Sequence, residues 1–198
     1  LASSALGFRN KAASENASAV GYGNNANALA ASAVGYNNTA GGVGSSTIGY
    51  NNTATNENAS AFGYGNTAGG LASSAFGFSN TASGDNANAF GYNNIASGSK
   101  SNVFGTGNTV SGSSSNAVGT ANEVAAENST AIGNNNTISS GAENSAALGN
   151  NISISLKDSV ALGNNSTATA INSVTGNSSY TKSVSYTHLR AHETDQYL

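Results

Sequence analysis

The sequence has no cysteine, proline, methionine or tryptophan. The lack of cysteine fits an oxidising exterior and many other places besides. Charge is scarce, with six Lys or Arg against nine Asp or Glu, a formal net charge of −3. That balance leaves no basic footprint for nucleic acid or anionic lipid. Disorder usually needs high net charge or abundant proline, and neither is present. The apolar share is 37%, mostly alanine, with few leucines and none at helical spacing. A core of large side chains is therefore excluded. No apolar run is long enough to cross a bilayer as a helix. What remains is a thin core of small residues, repeated many times.

The repeat is visible in one series of glycines, from Gly7, Gly21 and Gly35 to Gly133, each step being 14 residues. One step of 16 leads to Gly149, and a step of 14 to Gly163. A short fixed period over twelve copies marks a solenoid, whose coils cannot fold alone and stack on their neighbours. The residue before each glycine is always apolar, as in Val20, Ile48, Phe76 and Leu148. The residue two before is alanine except at Thr47 and Val103. The residue three after is asparagine in ten coils, Asn10 to Asn136, and the residue five after is apolar in all twelve.

Each coil has room for two short strands and two turns. The first strand covers residues such as Ser18 to Tyr22, where valine, isoleucine and aromatics suit extended backbone. It is small or apolar on both faces, so both are expected to be covered. Asparagine and glycine beside it suit a turn, since both tolerate left-handed backbone. The second strand is centred on the residue five after glycine and is expected to be half-exposed. Stacked coils give parallel sheets in a rod about 58 Å long, with the recurrent asparagines forming a stacked amide ladder.

Two positions vary in opposite senses. The residue after glycine is aromatic in seven coils, Phe8 to Tyr92, then becomes Thr106, Thr120, Asn134 and Asn150. The residue five after glycine is alanine through Ala96, then becomes Val110, Val124, Ile138 and Ile154. Close-packed interiors resist uncompensated volume changes, so these two positions are expected to face each other inside the coil. The alanine two before glycine, and the glycine itself, would then face outward and let another chain approach. The reverse assignment of faces is the alternative. Either way, each coil holds too little apolar area for a stable free monomer, and association is the natural remedy.

No constellation for chemistry emerges. The acids Glu15, Glu57, Asp85, Glu123, Glu127, Glu143 and Asp158 recur at no fixed place and read as solvated turn residues. No serine sits in Gly-x-Ser-x-Gly. Gly41-Gly-Val-Gly44 lacks the lysine of a phosphate loop, and only Asp85 follows a glycine, against the repeated aspartate of calcium-binding solenoids. Triplets such as Asn51-Asn-Thr53 arise by composition. We therefore expect no enzyme, no cofactor, no metal and no small-molecule substrate, and no single ligand-binding residue can be named.

The segments Asn128–Asn134 (Asn-Ser-Thr-Ala-Ile-Gly-Asn), Asn144–Asn150 (Asn-Ser-Ala-Ala-Leu-Gly-Asn) and Asp158–Asn164 (Asp-Ser-Val-Ala-Leu-Gly-Asn) resemble the YadA-like head repeat (Hep_Hag repeat) of trimeric autotransporter adhesins. The resemblance runs from about Ala2 to Ala168; many early coils depart from it, with Ala-Ser or Ser-Ser at the second and third positions, as in Asn16-Ala-Ser-Ala-Val-Gly21. It implies an all-β, left-handed parallel β-roll (β-solenoid) of about twelve 14-residue coils. It further implies a homotrimer on the bacterial cell surface, anchored in the outer membrane, that mediates adhesion and virulence by binding host matrix, host cells or other bacteria. No neck, coiled-coil stalk, secretory signal or C-terminal anchor is found and no methionine begins the chain, so it reads as a fragment whose anchor is missing. Two other readings stay open: an ice-binding solenoid, from the threonines at Thr39, Thr53, Thr67, Thr81, Thr109 and Thr137, and a passive spacer.

The head is expected over 1–176, with 177–183 unassigned. From Val184 to Leu198 the composition changes abruptly. The stretch resembles the translated end of a sequencing adapter and is expected to be non-native. His188 and His192, four apart beside Glu193, would otherwise suggest metal ligands on a helix.

Overall fold

The structure, a computed structural model, describes residues 2–170 and 173–175. The expectations for Gly176 to Leu198, including the adapter-like tail and its histidines, lie outside the described residues.

Every described coil repeats one plan. A five-residue strand, such as Ser18–Tyr22 or Ser60–Tyr64, is followed after a corner by a two-residue strand, such as Asn25–Ala26 or Thr67–Ala68. The long strands form a 12-stranded sheet in sequence order, and the short strands form a second sheet of 13, closed by Ser173–Thr175. Pairing is parallel and in strict register, so that Gly63 lies beside Gly77 and Thr67 beside Thr81. The molecule is thus a β-solenoid of about twelve turns. Register survives the 16-residue step, with Thr130 still opposite Ala146. The two extra residues are taken up by the turn at Ser140 and Gly141, where a Cβ on Gly141 would meet nothing. At the end of the described residues, Ser173–Thr175 pairs antiparallel with Thr167–Ala170.

The corners follow from the sequence. The residue two after glycine has positive φ in every coil, as do most residues five before it; examples are Asn37, Asn51, Asn58 and Asn86. Asparagine and glycine dominate these places because a left-handed backbone is least costly for them. The repeat glycine itself sits at φ between +96° and +147°. A Cβ on Gly63 would fall 2.1 Å from the carbonyl oxygen of Gly77 in the next coil, so the position admits glycine alone.

The asparagine three after glycine completes this bend. Asn66 Nδ2 donates to Phe62 O at 2.9 Å in its own coil, to Gly77 O at 2.7 Å in the next, and to Asn52 Oδ1 at 3.0 Å in the one before. Two hydrogens serve three acceptors, so one bond is shared. The backbone N–H of Asn66 also donates to Asn52 Oδ1. The amide bonds from coil to coil recur along the row from Asn10 to Asn136, which is the amide ladder expected from the sequence. It ends where Ile152 replaces asparagine and its N–H donates to Asn136 Oδ1. A second ladder was not anticipated. Ser145 N–H donates to Ser129 Oγ, and Ser159 N–H to Ser145 Oγ, along the row of serines four before glycine.

The interior is lined by the alanine two before glycine, the asparagine, and the residue five after. Ala61, Asn66 and Ala68 are all fully buried. From coil 8 onward this lumen holds larger side chains: Val103, Val110, Val124, Ile138, Ile152 and Ile154 are the largest buried apolar residues, and all lie between residues 103 and 154. At about 0.8 kcal/mol per buried methylene, each valine contributes about 1.6 kcal/mol more than the alanine it replaces. The apolar core divides in two at coil 4, where Ser45 and Thr47 stand in the lumen in place of alanine.

Candidate functional site

The chemistry-bearing groups are spread out. Glu15, Glu57, Asp85, Glu127, Glu143 and Asp158 lie in turns, as expected, whereas Glu123 lies in the short strand Glu123–Val124. Asp85 accepts from the N–H of Leu71 and Asp158 from Asn144 Nδ2, both at 2.9 Å; these contacts tie one corner to the next. Among the described residues no cluster of three or more His, Cys, Asp or Glu could hold a metal. What the rod offers is surface, repeated once per coil.

The outer face of the long-strand sheet carries the most unusual surface. Alternation along Ser60–Tyr64 turns Ala61 inward and leaves Phe62 and Tyr64 pointing out. The expectation that the aromatics face the lumen is therefore overturned: Tyr50 and Tyr64 are 43% and 48% exposed, while Ala54 and Ala68 are fully buried. The residues before and after the glycine share one parity on the strand, so both rows stand on the outer face, and the alanine between the strand's outer residues is the one that fills the lumen. The inverse volume trend is real, but its two members lie on opposite sides of the long-strand sheet and do not pack on each other.

The outward aromatics form continuous stacks. Tyr22, Tyr36, Tyr50, Tyr64 and Phe78 follow one another at centroid distances of 4.8–4.9 Å and interplanar angles of 2–6°. Phe8 and Tyr92 extend the row at either end. A second stack runs from Phe62 through Phe76 and Phe90 to Phe104. Because each ring face is covered by the next ring, only edges and tyrosine hydroxyls face outward. Such a row is no stacking platform for a planar ligand. Beside it, the row before glycine continues with Val118, Ile132, Leu148 and Leu162, all exposed. Single exposed apolar residues need no explanation, but rows running the length of a molecule mark an interaction surface.

The outer face of the short-strand sheet differs. It carries Thr39, Thr53, Thr67 and Thr81 in register, then Ile95, Thr109, Glu123 and Thr137. The threonine row seen in the sequence is therefore a real surface feature, interrupted by exposed Ile95 and Glu123. Neither the serine ladder nor the stacking of the aromatics was foreseen. The recurrent serine four before glycine, in Ser101, Ser115, Ser129, Ser145 and Ser159, was the available signal for the first.

The fold is a parallel β-solenoid with the repeat glycine in each of twelve coils, the ladder asparagine in ten, and an apolar outer face. The YadA head domain repeat (2 copies) matches residues 2–24, 12–38, 40–66, 68–94, 111–136 and 157–174, well over half of the chain. The chain belongs to the YadA head domain repeat family. Compared with curated proteins, it matches none.

Proposed function

We propose that this chain is the head of a trimeric autotransporter adhesin, displayed on the bacterial surface, which attaches the cell to host matrix, host cells or other bacteria. Membership of the YadA head family supports the surface role. The observation that carries the trimer is the apolar outer face of the long-strand sheet. Its rows repeat once per coil, so a surface of the same pitch, such as another copy of this chain, matches it ring for ring. Three copies closing around an axis bury this face and leave the threonine-bearing face outward. Many equivalent weak contacts, presented by three chains on one rigid rod, then act together through avidity.

The test has two parts. Sedimentation equilibrium of the purified chain gives a mass three times that of the 19.4 kDa monomer. Beads coated with the trimer adhere to matrix-coated or cell-coated surfaces, and adhesion is lost when the head is replaced by a rod of equal length and unrelated surface. Beads that adhere equally well with the replacement rod mark the head as a spacer and overturn the adhesin reading.

A further inference from the structure

The apolar outer face is not uniform, and its variation mirrors that of the lumen. In coils 1 to 7 the residue after glycine is aromatic and stacked, ending at Tyr92, and the neighbouring phenylalanine row ends at Phe104. In those coils the lumen holds no buried apolar side chain larger than alanine. From coil 8 the relation reverses. Every large buried apolar side chain lies between Val103 and Ile154, and the outer row becomes polar. There, Asn134 and Asn150 bridge to the next coil by amide hydrogen bonds of 2.8 Å, the second of them reaching Asn164. Apolar surface has moved from outside the coil to inside it.

Burial in the lumen is achieved by a single chain, whereas burial of the outer rows requires a partner. We propose that the rod is zoned. Self-association is carried by the N-terminal coils through the tyrosine and phenylalanine stacks, and these coils depend on it for their fold. The C-terminal coils, about residues 102–164, are held by their own lumen and stay folded when the copies separate. The single row Val118, Ile132, Leu148 and Leu162 adds a narrower contact there. The step at Phe104 and Thr106 also fixes axial register, because a slip by one coil would set a partner's aromatic row against threonine. This inference rests on the homotrimer reading.

The experiment compares two full-length variants with the parent. One replaces Tyr36, Tyr50 and Tyr64 by threonine, the residue that the chain itself uses at Thr106 and Thr120. The other replaces Ile132 and Leu148 by threonine. Sedimentation gives association and amide hydrogen exchange gives protection along the chain. The tyrosine variant is expected to weaken association by about 100-fold or more and to lose protection over Ser18–Ala68 while keeping it over Asn102–Ile154. The Ile132/Leu148 variant is expected to weaken association by less than about 10-fold. Equal weakening by both variants, or loss of protection along the whole rod on dissociation, would overturn the zoning and leave the trimer standing. A parent chain that sediments as a monomer would instead overturn the homotrimer reading.

Discussion

The N-terminal and C-terminal coils share one backbone and differ in where they place apolar mass. Coil 5 has Ala61 and Ala68 inside, with Phe62 and Tyr64 outside; coil 10 has Ala131 and Ile138 inside, with Ile132 and Asn134 outside. Both keep Gly63 or Gly133 at positive φ, and both keep the ladder residue, Asn66 or Asn136. The backbone device is thus constant, and the apolar inventory is free to move across the sheet. A solenoid tolerates this because each coil contacts only its neighbours, so a gradual change along the axis never meets a distant constraint.

Substitutions at the constant device should have the largest effects, in either half. Gly63→Ala forces a Cβ onto the Gly77 carbonyl at a backbone angle of +117°. It is expected to cost about 4 kcal/mol or more, combining backbone strain with displacement of the next coil. Thermal unfolding of Gly63→Ala and Gly133→Ala should show losses of similar size, since the contact is the same at both.

Asn66→Ala removes the donor to Phe62 O and Gly77 O and leaves the Asn80 N–H without its Asn66 Oδ1 acceptor. Orphaned buried groups cost about 1–3 kcal/mol each, so a loss of about 3 kcal/mol is expected in denaturant melts. Asn136→Ala is expected to cost less than Asn66→Ala, because on its C-terminal side it orphans the N–H of Ile152 but no further asparagine side chain.

Lumen substitutions separate the halves. Ile138→Ala should cost about 3 kcal/mol by leaving a cavity. Ala68→Val should also destabilise, by about 1–2 kcal/mol, because Ala68 is fully buried between Ala54 and Ala82 and a packed interior resists added volume. A stabilised Ala68→Val chain would show that the N-terminal lumen has unused room and would weaken the contrast between the halves. The smallest effect is expected at Gly107, where φ is +64° and a Cβ would meet nothing within 4 Å. Gly107→Ala should cost about 1 kcal/mol, as the presence of Ala30, Ala72 and Ala121 at similar angles suggests.

Much of this architecture was legible in the sequence. The 14-residue spacing of Gly21, Gly35 and Gly49 defined the coil, and the β-branched and aromatic residues beside the glycine marked the first strand, which the structure has at Ser18–Tyr22. The asparagine ladder followed from recurrence at one place, since stacked coils put like residues side by side. The direction of the aromatics was not legible. The inverse trend between Tyr36 and its successors on one side, and Ala40 and its successors on the other, has two explanations: direct packing, or a transfer of apolar mass across a sheet. Volume alone does not tell them apart. Parity along the strand puts Ala33 and Tyr36 on opposite faces but leaves either one inside; burial of the alanine row decides it. The surface role was legible only through the resemblance of segments such as Asn128–Asn134 to the adhesin repeat, because no residue of the described coils carries a local chemical signature of binding.

In the zoned rod proposed above, the N-terminal coils are held by association and the C-terminal coils by their own lumen. Amide hydrogen exchange on the full chain, diluted through the concentration range where the trimer dissociates, tests it most directly. Protection over Ser18–Tyr92 should fall with dilution while protection over Asn116–Asn150 stays unchanged. Protection that falls together along both stretches, or that is independent of concentration in both while the trimer dissociates, would contradict the account.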